Sequence, residues 1–350
     1  MNKNFKNMND PFSSLEHFRD EFNQGLKKLI DKEQLGTFIL CLANATNDSD
    51  LFEKLKQPLL KQYKYLLKQY QQALKSGQSI EAVEEDLLFF LKLHTLGFEN
   101  IKLTQQRTEN QWLCQFNQLR SFRPKRMTQF KHNGEMSTAF VEEGFHFNKP
   151  FMKKECFWAG CIDSKSIDIF YNKYPFSDLH TLIVPQRELG LPQFLTEDMH
   201  YYIFKLTKKL SANLLGLGVG YNSYGAYASV NHLHFQMFVH SQGLPVTHSR
   251  WKHNNGKYEY PLKVFVFDNI ELSWKFINEL HIKKQAYNLL YMPDKIFIIP
   301  RQVQGAVDAP QWSSGITWYE LSGAMLLFNQ KSYTDLSGDE ITRILKEYNV

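Results

Sequence analysis

Three side chains able to do chemistry fall within five residues of one another: His232, His234 and Gln236, in the run VNHLHFQMF. Read as a strand, positions i, i+2 and i+4 face the same way, so the three polar groups line up while Leu233, Phe235 and Met237 face the other side. Imidazole is nucleophilic at neutral pH, and its phosphoramidate is labile enough to pass the group on. Nucleotidyl transfer by double displacement needs one exposed histidine nitrogen, an acceptor holding the other, and donors to the non-bridging oxygens. The run offers a nucleophile in His234, a neighbour in His232 that orders the backbone, and an amide donor in Gln236. Two plainer readings compete: a pair of half-buried strand histidines, or an i, i+2 pair sharing zinc. Neither accounts for the glutamine or for GYNSYGAYAS just upstream. There Gly220 and Gly225 permit close backbone approach, and Asn222, Ser223 and Ser229 are short donors of the kind a phosphate uses.

Other chemistry-bearing residues are fewer. RSFRPKR gathers Arg120, Arg123, Lys125 and Arg126; Arg123 and Lys125 are candidate phosphate ligands, against the plainer reading of a solvated basic loop. Cys156 and Cys161 are awkwardly spaced for zinc and lack a second pair, so neither a metal nor another cofactor is expected. Four cysteines in 350 residues, irregularly placed, make no disulfide framework and point to a reducing compartment. The polar opening MNKNFKNMNDPF and the lack of a long apolar run give the expectation of a cytoplasmic protein with no membrane partner. A net charge of +5 spread along the chain makes nucleic acid a weak default and suits an anionic small molecule.

The elements that would carry these residues change character along the chain. Over 1–105 the periodicity is helical. Ser13 precedes Glu16 at capping-box spacing, and Leu15, Phe18, Phe22, Leu26 and Leu29 then recur until Gly36. A second run carries Leu59, Tyr63, Leu66, Leu67, Tyr70 and Leu74, and a third carries Ile80, Val83, Leu87, Leu88 and Leu91 before Gly97. No cluster there suggests chemistry, and packing or a protein partner is the expected role. From about Gln111 short β-branched and aromatic runs take over: QWLCQFN, IDIFY, HTLIVP, KVFVF, YNLLYM and KIFIIP. A helix from Thr196, with Met199, Ile203, Leu206, Leu210 and Leu214, precedes the histidine strand. YPFSDLHTLIVPQRELG and LLYMPDKIFIIPRQVQG share a turn, an apolar strand, a proline and an arginine, and a helical stretch from Trp318 to Leu327 follows the second. An internal repeat over 165–240 and 262–330 is therefore expected, with one copy keeping the site.

GYNSYGAYASVNHLHFQMF, supported by FRPKRMTQF, GFHFNKPF and HTLIVP upstream, resembles the GDP-hexose phosphorylases, in the galactose-1-phosphate uridylyltransferase branch of the histidine-triad superfamily. The likeness covers roughly residues 110 to 330. It implies an α+β, histidine-triad-like fold: a duplicated antiparallel-rich sheet with packed helices over 106–350, behind the helical N-terminal region 1–105. It further implies His234 as nucleophile and Gln236 in place of the third histidine of the hydrolases, hence transfer to an acceptor. A GDP-hexose phosphorylase would pass through a guanylyl-histidine and use a nucleotide sugar and inorganic phosphate. Rival readings are a dinucleoside tetraphosphate phosphorylase of the same branch, a nucleotide-sensing interaction protein, and a protein-modifying transferase docked through the N-terminal helices. SDLHTLIVP departs from the family's Gly-His turn, leaving His180 without the preceding glycine.

Overall fold

The structure is a computed structural model that describes residues 10–30, 34–123 and 134–350. It is an α+β protein in which a helical N-terminal region packs on antiparallel-rich sheet, in agreement with the sequence reading. The helices are α1 (Leu15–Ile30), α2 (Leu35–Ala45), α3 (Ser49–Lys75), α4 (Glu84–Leu96), α5 (Glu197–Ser211), α6 (Ile270–Ile282), α7 (Trp318–Leu321), α8 (Gln330–Asp335) and α9 (Gly338–Glu347). The strands are β1 (Gln105–Glu109), β2 (Trp112–Phe116), β3 (Cys156–Ile162), β4 (Lys165–Tyr171), β5 (Asp178–Pro185), β6 (Leu217–Asn222), β7 (Phe235–Val239), β8 (Phe265–Phe267), β9 (Tyr287–Met292), β10 (Lys295–Pro300) and β11 (Ala324–Leu327). Eight form one sheet in the order β3-β4-β5-β7-β6-β9-β10-β8, and β1-β2-β11 form a smaller one with β11 parallel to β2.

Several sequence expectations shift by local chemistry. The cap of α1 is Ser14, whose Oγ accepts from the His17 N–H at 3.1 Å, while Ser13 closes a short 3-10 turn. Gly36 does not stop that helix, which ends at Ile30; it lies within α2, where an added Cβ would stand 3.2 Å from the Asp86 carboxylate that Lys173 pairs with. Helix α2 is apolar and buried nearly all round, so it has no amphipathic signature to read. On α4 the buried residues are Asp86, Phe89, Phe90 and Leu93, and Val83, Leu88 and Leu91 are exposed: the larger aromatic surface takes the inward face. The expected helix over Trp318–Leu327 is one turn followed by a strand, broken at Gly323, whose φ of +94° and close seat on Pro245 and Trp112 suit glycine alone.

The large sheet is sandwiched. One face, bearing Ile167, Ile169, Ile183, Val219, Phe235, Met237, Leu289 and Ile298, shares a single core with helices α1 to α6. The other face is covered in two pieces. Over β9 and β10 the small sheet, α7 and α9 form a dense core around Trp112, Trp251 and Trp318. Over β4 and β5 Phe147 and Met152 descend onto Phe170 and Val184, with Val230 packed beside them. Both expected repeat copies thus supply a hairpin to the same sheet, β4–β5 and β9–β10, the first followed by the 15-residue α5 and the second by the four-residue α7. Among the described residues no helix is long and apolar enough to cross a membrane.

Candidate active site

The seam between those two coverings holds the residues singled out in the sequence. Strand β7 begins at Phe235, so His232 and His234 precede the ladder and only Gln236 lies in it, opposite Leu182 and Gly220. The expectation that all three share one strand face is corrected here. The cause is Gln193, in the loop before α5. Its Oε1 accepts the His234 N–H at 2.9 Å, and its Nε2 donates to the carbonyls of Asn222 (2.9 Å) and His234 (3.3 Å). A buried side-chain amide therefore takes the bonds a neighbouring strand would have made. The Gln193 N–H in turn donates to Asn231 Oδ1 at 3.1 Å. Sequence reasoning missed Gln193; its one signal was a polar residue between Pro192 and the apolar pair Phe194 and Leu195.

Backbone partners fix the histidine tautomers. The His232 carbonyl lies 2.8 Å from His234 Nδ1, and a carbonyl only accepts, so Nδ1 carries the proton and Nε2 keeps its lone pair. His232 is the reverse: Nδ1 accepts the Phe147 N–H at 3.2 Å, and Nε2 donates to the Arg187 carbonyl at 3.1 Å. Both nitrogens of His232 are thus spent on joining the Phe147 segment to the end of β5. Burial pushes His234 down to about 4, against the pull of the carbonyl bond, and burial and then the neighbouring His234 push His232 to about 4. Both rings are neutral at physiological pH.

Gln236 is oriented from the adjacent strand. Its Oε1 stands 3.2 Å from His180 Nε2, and His180 is fully buried. Burial, then the nearby Arg120 charge, pushes His180 down to about 3 despite the bond to Gln236. Gly220, beside Gln236, carries the Trp318 indole, which an added Cβ would meet at 2.2 Å. Further along the same face Arg187 Nε donates to Asp168 at 3.0 Å and its Nη1 to Asn148 Oδ1 at 2.9 Å.

The other expected ligands divide. Asn222 and Ser223 are buried and bonded within the fold: Asn222 Oδ1 accepts from Asn288 (2.6 Å) and from the Trp318 N–H (3.1 Å), and Ser223 Oγ accepts the Tyr287 N–H (3.1 Å). Gly225 has φ +81° at the turn that follows, and Ser229 is exposed. Arg123 lies over Tyr174 at 5.7 Å, and burial lowers its pKa. Lys125 lies outside the described residues. Among the described residues of the basic loop Arg120 nears the site: it sits 4.8 Å over Phe176, donates to the Tyr174 carbonyl, and leaves a buried Nε with no partner among the described residues. Phe176 contacts the His180 ring at 4.1 Å. Cys156 and Cys161 are at the two ends of β3, about 16 Å apart by strand rise, too far to share an ion.

This arrangement, an unprotonated ring nitrogen beside an amide on a buried seam, accompanies a partial likeness to known proteins. Residues 98–238 match the family model described as GDPGP1-like, N-terminal domain. The chain is 43% identical over 70 residues to GDP-D-glucose phosphorylase 1 of Xenopus laevis, covering 20% of this chain and 17% of that protein. It is 24% identical over 213 residues to GDP-L-galactose phosphorylase 2 of Arabidopsis thaliana, covering 54% of this chain and 49% of that one. The chain therefore spans half or less of the length of these relatives. A solved structure, yeast Ap4A phosphorylase Apa2 in complex with Ap4A, superposes with a TM-score of 0.48 at 14% identity, over 71% of this chain and 90% of that one. The matched residues 98–238, which contain His232, His234 and Gln236, are thus similar to the N-terminal domain of the GDPGP1-like proteins.

Proposed function

We propose that the protein is a nucleotidyltransferase that phosphorolyses a nucleoside diphosphate hexose, with a GDP-hexose as substrate. His234 Nε2 attacks the α-phosphorus, the bond to the bridging oxygen breaks, and hexose 1-phosphate leaves. The nucleotide is then held as a nucleotidyl-histidine. An oxygen of inorganic phosphate attacks the same phosphorus, the P–N bond breaks, and NDP departs with the imidazole restored. The observation that carries this reading is the 2.8 Å bond from His234 Nδ1 to the His232 carbonyl, which leaves Nε2 as the nucleophile and steadies the positive ring of the adduct. Gln236 Nε2 donates to the α-phosphate oxygens, and His232 acts as a brace, since both its nitrogens are bonded to backbone. An amide cannot protonate a leaving group, so the site suits one already stable as an anion, such as a sugar phosphate.

Exposed Ser229 and the turn at Gly225 remain the expected substrate contacts from that loop, and Arg120 is better placed than Arg123 to attract an anion toward Gln236. The four cysteines are all free, which fits a reducing cytoplasm. Incubation with GDP-D-glucose, with and without phosphate, tests the reading. GDP and glucose 1-phosphate are expected with phosphate, and slow GMP release without it. GMP formed at one rate in both conditions, with no GDP, would make the protein a hydrolase.

A further inference from the structure

Beside Gln236 stands a histidine that the proposed chemistry does not use. His180 lies at the β-bulge of β5, where the register against β7 shifts between Asp178 and Thr181, and its side chain is fully buried. Its Nδ1 receives the Phe176 N–H at 3.3 Å. A backbone N–H can only donate, so Nδ1 is the acceptor nitrogen and the proton belongs on Nε2. Nε2 faces the Gln236 Oε1 at 3.2 Å. Asn172 Nδ2 is also 3.2 Å from Nε2, with its Oδ1 accepting the Tyr174 N–H at 3.0 Å, so that amide competes with Gln236 for Nε2; the Phe176 N–H, fixed by the chain, is the contact that makes Nδ1 the acceptor. The two ends of a carboxamide differ in kind, one accepting and the other donating, and nothing intrinsic to glutamine decides which faces a ligand.

We propose that His180 is a positioning residue that sets the direction of the Gln236 amide, holding its oxygen inward so that its NH2 is the end offered to the substrate's phosphate. The proposal rests on the phosphorylase reading for the identity of the anion, but not for the orientation itself. Flipped by half a turn, Gln236 would present a carbonyl oxygen to a phosphate oxygen, turning an attraction into a repulsion. The fold builds in the choice through the Phe176–His180 turn. His180 and His234 therefore hold opposite tautomers, Nε2–H for the first and Nδ1–H for the second, each dictated by a backbone group.

The test has a spectroscopic arm and a kinetic arm. Long-range ¹H–¹⁵N spectra of the ¹⁵N-histidine-labelled full chain at pH 7 should show His180 protonated at Nε2 and His234 at Nδ1, with the His180 Nε2 resonance moving in Gln236→Leu. A His180 proton on Nδ1 overturns the proposal, and this arm holds whether or not the protein proves to be a phosphorylase. In the kinetic arm His180→Leu, which keeps bulk but loses the donor, should lower kcat with GDP-D-glucose and phosphate by about 10- to 100-fold, with KM for the nucleotide sugar changed less than about threefold. His180→Gln, whose amide can reach the Nε2 position, should recover most of that loss. A folded His180→Leu protein with wild-type kcat overturns the proposal. Should His180→Leu fail to fold, the wild-type tautomer spectrum still decides it. Absence of GDP formation by the wild type would fall on the phosphorylase reading and leave the tautomer result standing.

Discussion

Hairpins β4–β5 and β9–β10 lie in one sheet, close in the same antiparallel way, and each ends in a proline with an arginine just beyond, yet they face different worlds. On the face away from the helices the first hairpin presents Asp168, Phe170, His180 and Leu182, under a thin covering from Phe147 and Met152. The second presents Leu290, Phe297 and Ile299, sealed by the tryptophan-rich core. The arginines diverge with them. Arg187 remains partly exposed and pairs with Asp168, whereas Arg301 is fully buried between the rings of Tyr227 and Tyr348 at 5.0 Å each and donates to the Ile316 carbonyl. One scaffold thus supports either a polar seam or a closed core, depending on what covers it. The sealed hairpin also serves the open one: Asn288 donates to Asn222 Oδ1 and to the Ala226 carbonyl, and the Tyr227 N–H donates to Gln304 Oε1, shaping the loop before the histidines.

Substitutions should separate the two hairpins. The largest effect is expected at His234: His234→Ala should lower turnover more than about 1,000-fold while unfolding midpoints in urea stay close to wild type. On the sealed side the pattern inverts. Arg301→Ala removes two cation–π contacts and charged hydrogen bonds inside a core, and should cost about 2–4 kcal/mol in denaturant titration. Arg187→Ala, at a partly exposed pair, should cost about 1 kcal/mol or less by the same titration. Equal losses for the two arginines would erase the distinction. Gln193→Ala should leave substrate KM nearly unchanged and reduce kcat by about 10- to 100-fold in steady-state assays, because it frees the His234 backbone without removing the ring.

The open side should also show a slope with pH. His180, His232 and His234 on the open side are pushed down to about 3, 4 and 4, while the β9–β10 hairpin carries no histidine. Between about pH 6.5 and 4 the unfolded chain holds protons on these rings that the folded chain does not. The unfolded state thus binds more protons, and stability falls as pH falls through that window, by about 1.4 kcal/mol per pH unit for each group that stays neutral. Buried His200 and His281, both pushed to about 4, add to the same slope. A urea midpoint that is flat from pH 6.5 to 4.5 would show that the site histidines are solvated.

What was legible in the sequence follows from which signals are local. Alternating β-branched and aromatic runs announced β2, β4, β5, β8, β9 and β10, and the Thr196 cap announced α5. Strands β3 and β6 were missed because CFWAGCI and LGVGYN carry glycines that lower strand propensity, and those glycines serve ring packing from Trp158 and Trp318. The chemical run His232–His234–Gln236 was legible as a motif, but its geometry was not. Gln193, His180 and Arg120 reach it from other segments, and pairings between segments leave no periodic trace. For the same reason the fold contacts of Asn222 and Ser223 were not legible; their partners Asn288 and Tyr287 lie more than sixty residues away.

The central claim is that His234 Nε2 carries the nucleotide between leaving group and acceptor. Acid-free quenching of the protein with GDP-D-glucose in the absence of phosphate, followed by mass spectrometry of its peptides, tests it most directly. The account expects a guanylyl group on the peptide containing His234, on that ring, and its discharge as GDP when phosphate is added. An adduct on another residue, or nucleotide turnover with no adduct and no discharge by phosphate, would contradict it.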